Sequence, residues 1–455
     1  MGKIVLTIVL RCWKIQKLMN IKISYFFLLL LLSSCGFIGK KNLQNSAYLY
    51  QEKIAKINAE YQLYHQSNTE STLYCKIKSS ELLSIFSANE KQKKISFLIS
   101  GKLFVAEDES ASIDSFAVEK SMLDTTKWIT EYFTFSAELH EHYVLRITLK
   151  DLNKAAAVNK SIYFKKKIDS NENFQIFKDQ EKQYGNTFNI ADTILISHNT
   201  DKKNLFVSFF NKDFDVATAP FNLEELKTEK INPKATYNLT IDSNFFLLPI
   251  AQKGIYQVIA NEHDEKGLNI LSFESDFPAI ATATDMIATL QYICTEEEMQ
   301  ELRLAKNKKI AVDQFWLSKA KNDKQIAKKL ISTYYKRVEN ANKFFTSYKA
   351  GWKTDRGMII VVFGAPNIIY QSKEGESWIY GEKNNMYALN FTFTKIKNKF
   401  SDNDFQLNRS AYFKNIWKTA QSAWRDGYPY SDIDIKEKIY EQERRQRQSQ
   451  FYFWH

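Results

Sequence analysis

Between Thr72 and Phe273 the chain offers no helical period longer than a few turns. Short runs rich in Ile, Val, Phe, Tyr and Thr recur instead, separated by polar turns. The first set is Leu73–Lys78, Ile95–Phe104, Trp128–Phe135, Tyr143–Leu149 and Ser161–Phe164. The second is Ile194–Ser197, Leu205–Phe210, Phe245–Ile250, Ile255–Ala260 and Leu268–Phe273. β-Branched and aromatic side chains fit a pleated, half-buried surface, and an aromatic share of 14% agrees with such layers. Runs at this spacing predict one or two antiparallel β-sandwiches. The polar stretch Lys165–Phe174, headed by Lys165-Lys166-Lys167, is the natural seam between them.

The N-terminus follows a different logic. Lys17 and Lys22 precede an apolar run over Tyr25–Leu32, and Leu32-Ser33-Ser34-Cys35 closes it. A basic start, a short apolar core and small residues before a break describe a secretory signal, too short to span a bilayer as a helix. The Leu-Ser-Ser-Cys ending resembles the bacterial lipobox, which implies that Cys35 is lipidated and becomes the first mature residue. Met19 begins a segment complete as such a signal, so translation is expected to start there. Gly36–Asn42 carries no acid, whereas some Bacteroidetes-type lipoproteins have an acidic surface-export tag after the Cys; this favours the periplasmic face. Tyr48–Tyr64, with Ile54, Ile57, Tyr61 and Tyr64 three or four apart, predicts an amphipathic helical tether.

The formal charge of +11 is partly processing. Residues 1–34 hold five basic residues and no acid, so their removal leaves +11 − 5 = +6. Export and a thinly spread excess argue against nucleic acid, although Arg444, Arg445 and Arg447 are clustered; an anionic membrane surface suits the charge better. The four cysteines, Cys12, Cys35, Cys75 and Cys294, include no metal-ligand spacing. Cys75 and Cys294 are open to two readings, a disulfide in an oxidising compartment or two buried small apolar residues. His140-Glu141-His142 puts two imidazoles on one strand face without a third ligand, which reads as an exposed edge. No cofactor motif occurs.

From Thr295 the period becomes helical. Thr295 with Glu298 forms a capping box, a break is expected near Lys306–Lys309, and Asp323 caps a helix with a broad apolar stripe ending at Phe344 and Phe345. Gly351 is placed to end that helix in the left-handed conformation, with Trp352 folded over it. Thr354 and Asp355 are expected to accept backbone N–H bonds in a tight turn, with Arg356 paired to Asp355 or a carbonyl. Met358–Phe363 reads as a fully covered strand stopped by Gly364-Ala365-Pro366. Trp378–Tyr380 and Met386–Phe393 read as a hairpin, Ala411–Asp426 as an amphipathic helix closed by Gly427, and Ile435–His455 as a charged tail ending in four aromatics.

Gly351-Trp352-Lys353-Thr354-Asp355, with Arg356-Gly357 after it, resembles the defining motif of the GWxTD-domain proteins of Bacteroidetes-type bacteria. Supporting segments are Tyr335–Asn342, Phe363–Pro366, Glu376–Tyr380 and the stretch from Trp417 through Trp424–Tyr428. The resemblance covers residues 295–430; many members have Pro-Pro where this chain has Ala365-Pro366. It implies an envelope location and a domain type, and brings no established activity.

The expected order is therefore a signal peptide (1–34), lipidated Cys35 and tether (35–70), two β-sandwich modules (71–166 and 167–292), an α+β GWxTD domain (295–430) and a tail (431–455). The expected function is an outer-membrane lipoprotein, facing the periplasm, that acts as a non-catalytic binding or scaffolding component for an envelope protein partner. The alternative is a hydrolase of cell-wall or glycan substrates using carboxylates near the motif. The candidate site comprises Gly351, Trp352, Thr354, Asp355, Arg356, Glu376 and Trp378. An enzyme of the alternative class needs two carboxylates across one open cleft, so the placement of Asp355 and Glu376 discriminates.

Overall fold

A computed structural model describes residues 45–50, 57–87, 92–124, 127–154, 156–224, 231–274, 276–382, 385, 388–431, 433–435, 437, 440–441 and 444. The signal peptide, Met19, Cys35 and the four terminal aromatics lie outside them. The architecture is β-rich in its N-terminal half and α+β in its C-terminal part, as the change of period predicts.

The first eight strands are β1 (Ala59–His65), β2 (Glu70–Lys78), β3 (Ile85–Ser87), β4 (Gln92–Val105), β5 (Asp114–Leu123), β6 (Trp128–Ser136), β7 (His142–Asp151) and β8 (Ala156–Lys165). They form two antiparallel sheets, β1-β2-β6 and β3-β4-β7-β8 with β5 on β4. Alternation sends Leu73, Cys75 and Ile77 inward from one sheet and Ile95, Phe97, Ile99, Leu145 and Ile147 from the other, into one shared core. Phe116 and Phe133 stack across it with ring centroids 4.1 Å apart.

The next nine are β9 (Phe174–Lys178), β10 (Glu181–Gln183), β11 (Thr187–Asn189), β12 (Thr193–His198), β13 (Asn204–Phe210), β14 (Ala235–Asp242), β15 (Phe245–Pro249), β16 (Gly254–Ile259) and β17 (Leu268–Phe273). Their order is β10-β9-β12-β15-β14-β13-β16-β17-β11, antiparallel except for β11 on β17. β14 joins the two halves, which bury Ile194, Ile196 and Leu248 against Val207, Val258 and Ile270 in a second core.

The C-terminal part has helices α1 (Ala283–Thr289), α2 (Glu296–Leu304), α3 (Lys308–Lys319), α4 (Lys324–Phe345), α5 (Asp355–Phe363) and α6 (Phe413–Arg425). A four-stranded sheet runs β18 (Ile368–Gln371), β19 (Gly375–Tyr380), β20 (Leu389–Lys395), β21 (Phe405–Leu407). The capping box at Thr295 is complete, Asp323 caps α4, and the break falls at 305–307. Among the described residues no helix is long and apolar enough to cross a membrane.

Four expectations change. Residues 59–64 are a strand, not a helical tether: β1 buries Leu63 and His65 by alternation and pairs with β2 along its whole length. Among the described residues of the expected tether before β1, Ala47–Tyr50 is helical, as one 3-10 turn. Met358–Phe363 belongs to helix α5, every residue of which is buried; a continuous apolar run has no period of its own and suits a helix enclosed on all sides. Gly351 is not left-handed, since α4 ends at Phe345 with Thr346 at φ −58°. Finally, Lys166 at the polar seam is 0% exposed, its Nζ donating to the carbonyls of Ala137 (2.7 Å) and Glu70 (3.0 Å).

Beside it His65 is 1% exposed, its Nδ1 3.0 Å from Ser71 Oγ. Burial, with Lys166 nearby, holds its pKa down to about 4, and burial does the same for His198. A depressed imidazole pKa favours the neutral form in the fold, so stability is complete above the ordinary value near 6.5 and is lost as pH falls towards 4. We expect urea midpoints to decline over that window, His65 alone accounting for up to roughly 3 kcal/mol. In a His65→Gln chain the decline should be visibly shallower.

Candidate functional site

The motif is built at the end of α4. Thr346 Oγ1 accepts from Gly351 N–H (3.1 Å), and Asn342 Oδ1 accepts from Trp352 N–H (3.1 Å) while its Nδ2 donates to the Pro278 carbonyl (2.9 Å). These bonds press Gly351 against the helix: a Cβ there would lie 1.9 Å from the Ala341 carbonyl oxygen. Gly351–Lys353 forms a 3-10 turn, and Thr354 caps α5. Its Oγ1 accepts from Gly357 N–H (3.1 Å) and donates to the Gly351 carbonyl (2.7 Å). Gly357 in turn meets Gly351, where a Cβ would sit 1.9 Å from that carbonyl oxygen. Trp352 is buried, edge-on to Tyr292, whose hydroxyl donates to the Trp352 carbonyl (2.7 Å).

The two charged residues that follow point apart. Asp355 is 7% exposed, takes both Nη atoms of Arg409 (2.6 and 3.0 Å) and accepts from Leu407 N–H (2.7 Å). Arg356, 2% exposed, donates through Nη1 to Glu376 Oε1 (3.0 Å) and through Nη2 to the carbonyl and Oδ1 of Asn403. Its guanidinium lies 3.8 Å from the Phe405 ring centroid and 5.0 Å from that of Phe345. Glu376, 6% exposed, also accepts from Gln371 Nε2 (3.1 Å) and from Trp378 Nε1 (2.8 Å). Of the two expected partners of Arg356, a carbonyl is used, that of Asn403, and Asp355 is not. The two residues form longer-range pairs instead, because neighbours in sequence on a helix do not face each other.

The candidate residues therefore converge on one buried network, with Asp355 at one end and Glu376 at the other. Each carboxylate is held by its own arginine and by further donors, an arrangement of a structural joint. Sequence reasoning missed Arg409, Asn403, Gln371 and Tyr292, which reach the motif from distant positions, and gave no role to Asn342, the last residue of a segment named for the resemblance. It also missed Arg337, which donates to the carbonyls of Val361 (3.3 Å), Val362 (3.0 Å) and Tyr430 (2.7 Å) and so closes the end of α5 where Gly364 turns at φ +80°.

A strap after β13 lies over the Asp355 end. Ala217 N–H donates to the Lys353 carbonyl (2.9 Å), Arg409 Nη2 to that of Thr218 (3.3 Å) and Lys353 Nζ to Asp213 (2.6 Å). Phe210 and Phe400 meet edge to face at 4.8 Å, fastening the second β-module to the C-terminal part.

Elsewhere, His142 Nδ1 approaches Glu107 at 3.3 Å, and among the described residues no group of three or more His, Cys, Asp or Glu is placed to hold a metal. Cys75 and Cys294 are free thiols, and burial pushes both up to about 12.

If the network is a joint, breaking it lowers stability. Arg409→Ala leaves a buried carboxylate uncompensated and should cost about 3–5 kcal/mol. The double change Asp355→Asn with Arg409→Met should cost less than the sum of the singles by at least ~1 kcal/mol. Gly357→Ala should cost about 3 kcal/mol or more through backbone overlap. Urea unfolding measures all three; an unchanged midpoint for Arg409→Ala would contradict the structural role.

Comparison with known proteins agrees with the motif. Residues 254–426 match the family model for the GWxTD domain, a span beginning inside the second β-module at β16. No curated protein matches the chain. Among solved structures, the calcium binding domain CBD12 of CALX1.1 is 10% identical, covering 56% of this chain and 94% of its own at a TM-score of 0.17. CBD12 from CALX1.2 is 9% identical, covering 54% and 93%, at 0.15. Likeness at that level carries no argument about fold or ligand.

Proposed function

With a GWxTD domain at residues 254–426 as the premise, we propose that this chain is an envelope lipoprotein acting as a non-catalytic binding or scaffolding component. Its Cys35 carries the lipid, it sits in the outer membrane facing the periplasm, and its partner is another envelope protein. The observation that favours binding over hydrolysis is the condition of the two candidate carboxylates, Asp355 of the motif and Glu376 of β19. Asp355 and Glu376 are both nearly buried, and their oxygens accept bonds from Arg409, Leu407, Arg356, Gln371 and Trp378. A carboxylate that must give or take a proton from substrate needs an open face and a free lone pair.

The support for anchoring is the coincidence of a basic start, an apolar run and small residues before Cys35. Several acyl chains on one residue suffice for stable attachment. The β-modules and the aromatic tail supply contact surface.

Two measurements test the reading. Cells fed an alkyne fatty acid should label the wild-type chain, and Cys35→Ser should abolish the label and move the protein out of the membrane fraction. Crosslinking in intact cells should capture a defined envelope protein with wild type, and less of it after truncation beyond Tyr430. Labelling that persists in Cys35→Ser rejects the anchor. A folded Asp355→Asn chain of normal midpoint that still captures the partner yet loses the cellular phenotype points to the hydrolase instead.

A further inference from the structure

The four-stranded sheet of the C-terminal part ends at β18, and the outer edge of that strand is occupied. Ser46 N–H donates to the Ile369 carbonyl (2.7 Å), and Ile369 N–H donates to Asn45 Oδ1 (3.0 Å). Asn45 Nδ2 reaches the Asn367 carbonyl (3.2 Å), and Asn45 Oδ1 also accepts from Ala47 N–H (2.9 Å). The outward donor and acceptor of Ile369 are thus both satisfied by a segment more than 300 positions earlier in the chain. Ala47 is buried. Tyr50 fills a space walled by Phe345, Phe344 and Trp378, with ring centroids 4.9, 5.3 and 5.9 Å away, and its hydroxyl meets Gln371 Nε2 at 3.4 Å. That hydroxyl is enclosed, and burial together with Glu376 holds its pKa far above a free phenol's.

The edge is thus taken by one main-chain bond and the Asn45 side-chain amide, and the 3-10 turn Ala47–Tyr50 carries Tyr50 into a side-chain pocket. Peptides that bind sheet edges combine backbone bonds for attachment with pockets for selectivity in the same way. We propose that the edge of β18 with Phe344, Phe345 and Trp378 is a peptide-binding site. The chain's own Asn45–Tyr50 is its ligand, and that ligand is exchangeable. The chemistry it selects is an Asn that bridges backbone N–H and C=O groups, a small residue two positions on, and a Tyr five positions on. The contacts support exchange because, among the described residues, one main-chain bond joins the segment to β18, from Ser46 N–H, and Ala47 and Tyr50 are the apolar side chains packed on the core. Because Gln371 serves both Tyr50 and Glu376, occupancy is felt at the Arg356–Glu376 pair. The proposal goes beyond the partner-binding reading and stands without it.

The test uses the full chain with a protease recognition sequence inserted between Lys53 and Ile54. After cleavage in detergent, the two pieces should co-elute. A hundredfold excess of synthetic peptide spanning residues 43–53 should release the N-terminal piece, and the same peptide with Tyr50→Ala should be at least tenfold weaker. Loss of the piece on cleavage alone overturns the proposal, as does co-elution that no peptide reverses, or equal release by both peptides. An uncut Asn45→Ala/Tyr50→Ala chain gives an independent readout: the Ile369 amide should exchange at least tenfold faster while the melting temperature stays near that of wild type. Unchanged exchange at Ile369, or a collapse of the melting temperature, also overturns it.

Discussion

Two glycines in close backbone contact set the geometry of the C-terminal part. Gly351 lies on the Ala341 carbonyl of α4, and Gly357 lies on the Gly351 carbonyl from within α5. With no side chain at either point, the turn between the helices closes tightly enough for Thr354 to bond to both glycines at once. The apolar length of α5 then enters the core enclosed on every side, and the helix start is held where Asp355 and Arg356 must diverge. The sheet, α6 and the strap after β13 are arranged around that entry.

The ion pairs at the entry complete the arrangement more than they drive it. Removing two carboxylates and two guanidiniums from water is costly, and their attraction in a poorly screened interior roughly offsets that cost. Their contribution is direction. A bidentate Arg409 fork accepts one placement of Asp355, and Arg356 sandwiched between Phe345 and Phe405 accepts one placement of Glu376. The pairs link α5 to β21 on one side and to β19 on the other, so the register of the sheet is tied to the motif.

How much of this was legible in the sequence depends on how local the cause is. The β-modules were, because a period of two over many short runs is a local property. So were the caps at Thr295 and Asp323, which act within three residues. The motif was visible as something special, and the role of Thr354 followed from turn chemistry, whereas the place of Trp352 against Tyr292 did not. The strand at Ala59–His65 was not, because Tyr61 and Tyr64 at a helical interval disguise the alternation of Leu63 and His65. The identity of α5 was hidden for the opposite reason: a run that is apolar throughout has no period to read. Arg409, Asn403 and Gln371 left no signal near the motif, since their partners are fixed only by the folded topology. Lys166 was misjudged with its neighbours because composition cannot tell which of three lysines turns inward.

The contact between Gly351 and Gly357 also bears on how this chain can vary. A methyl group at Gly351 meets the Ala341 carbonyl, and one at Gly357 meets the Gly351 carbonyl. The hydroxyl of Thr354 is divided between the same two residues. No one of the three can be replaced while the others keep their positions, and a compensating change would have to move two helix backbones. The routes to an altered motif therefore begin with a damaged intermediate, whereas the exposed faces of the β-modules are open to change one residue at a time. Novelty in such a chain is channelled towards its outer strands, and the joint that orients them is inherited whole or lost whole.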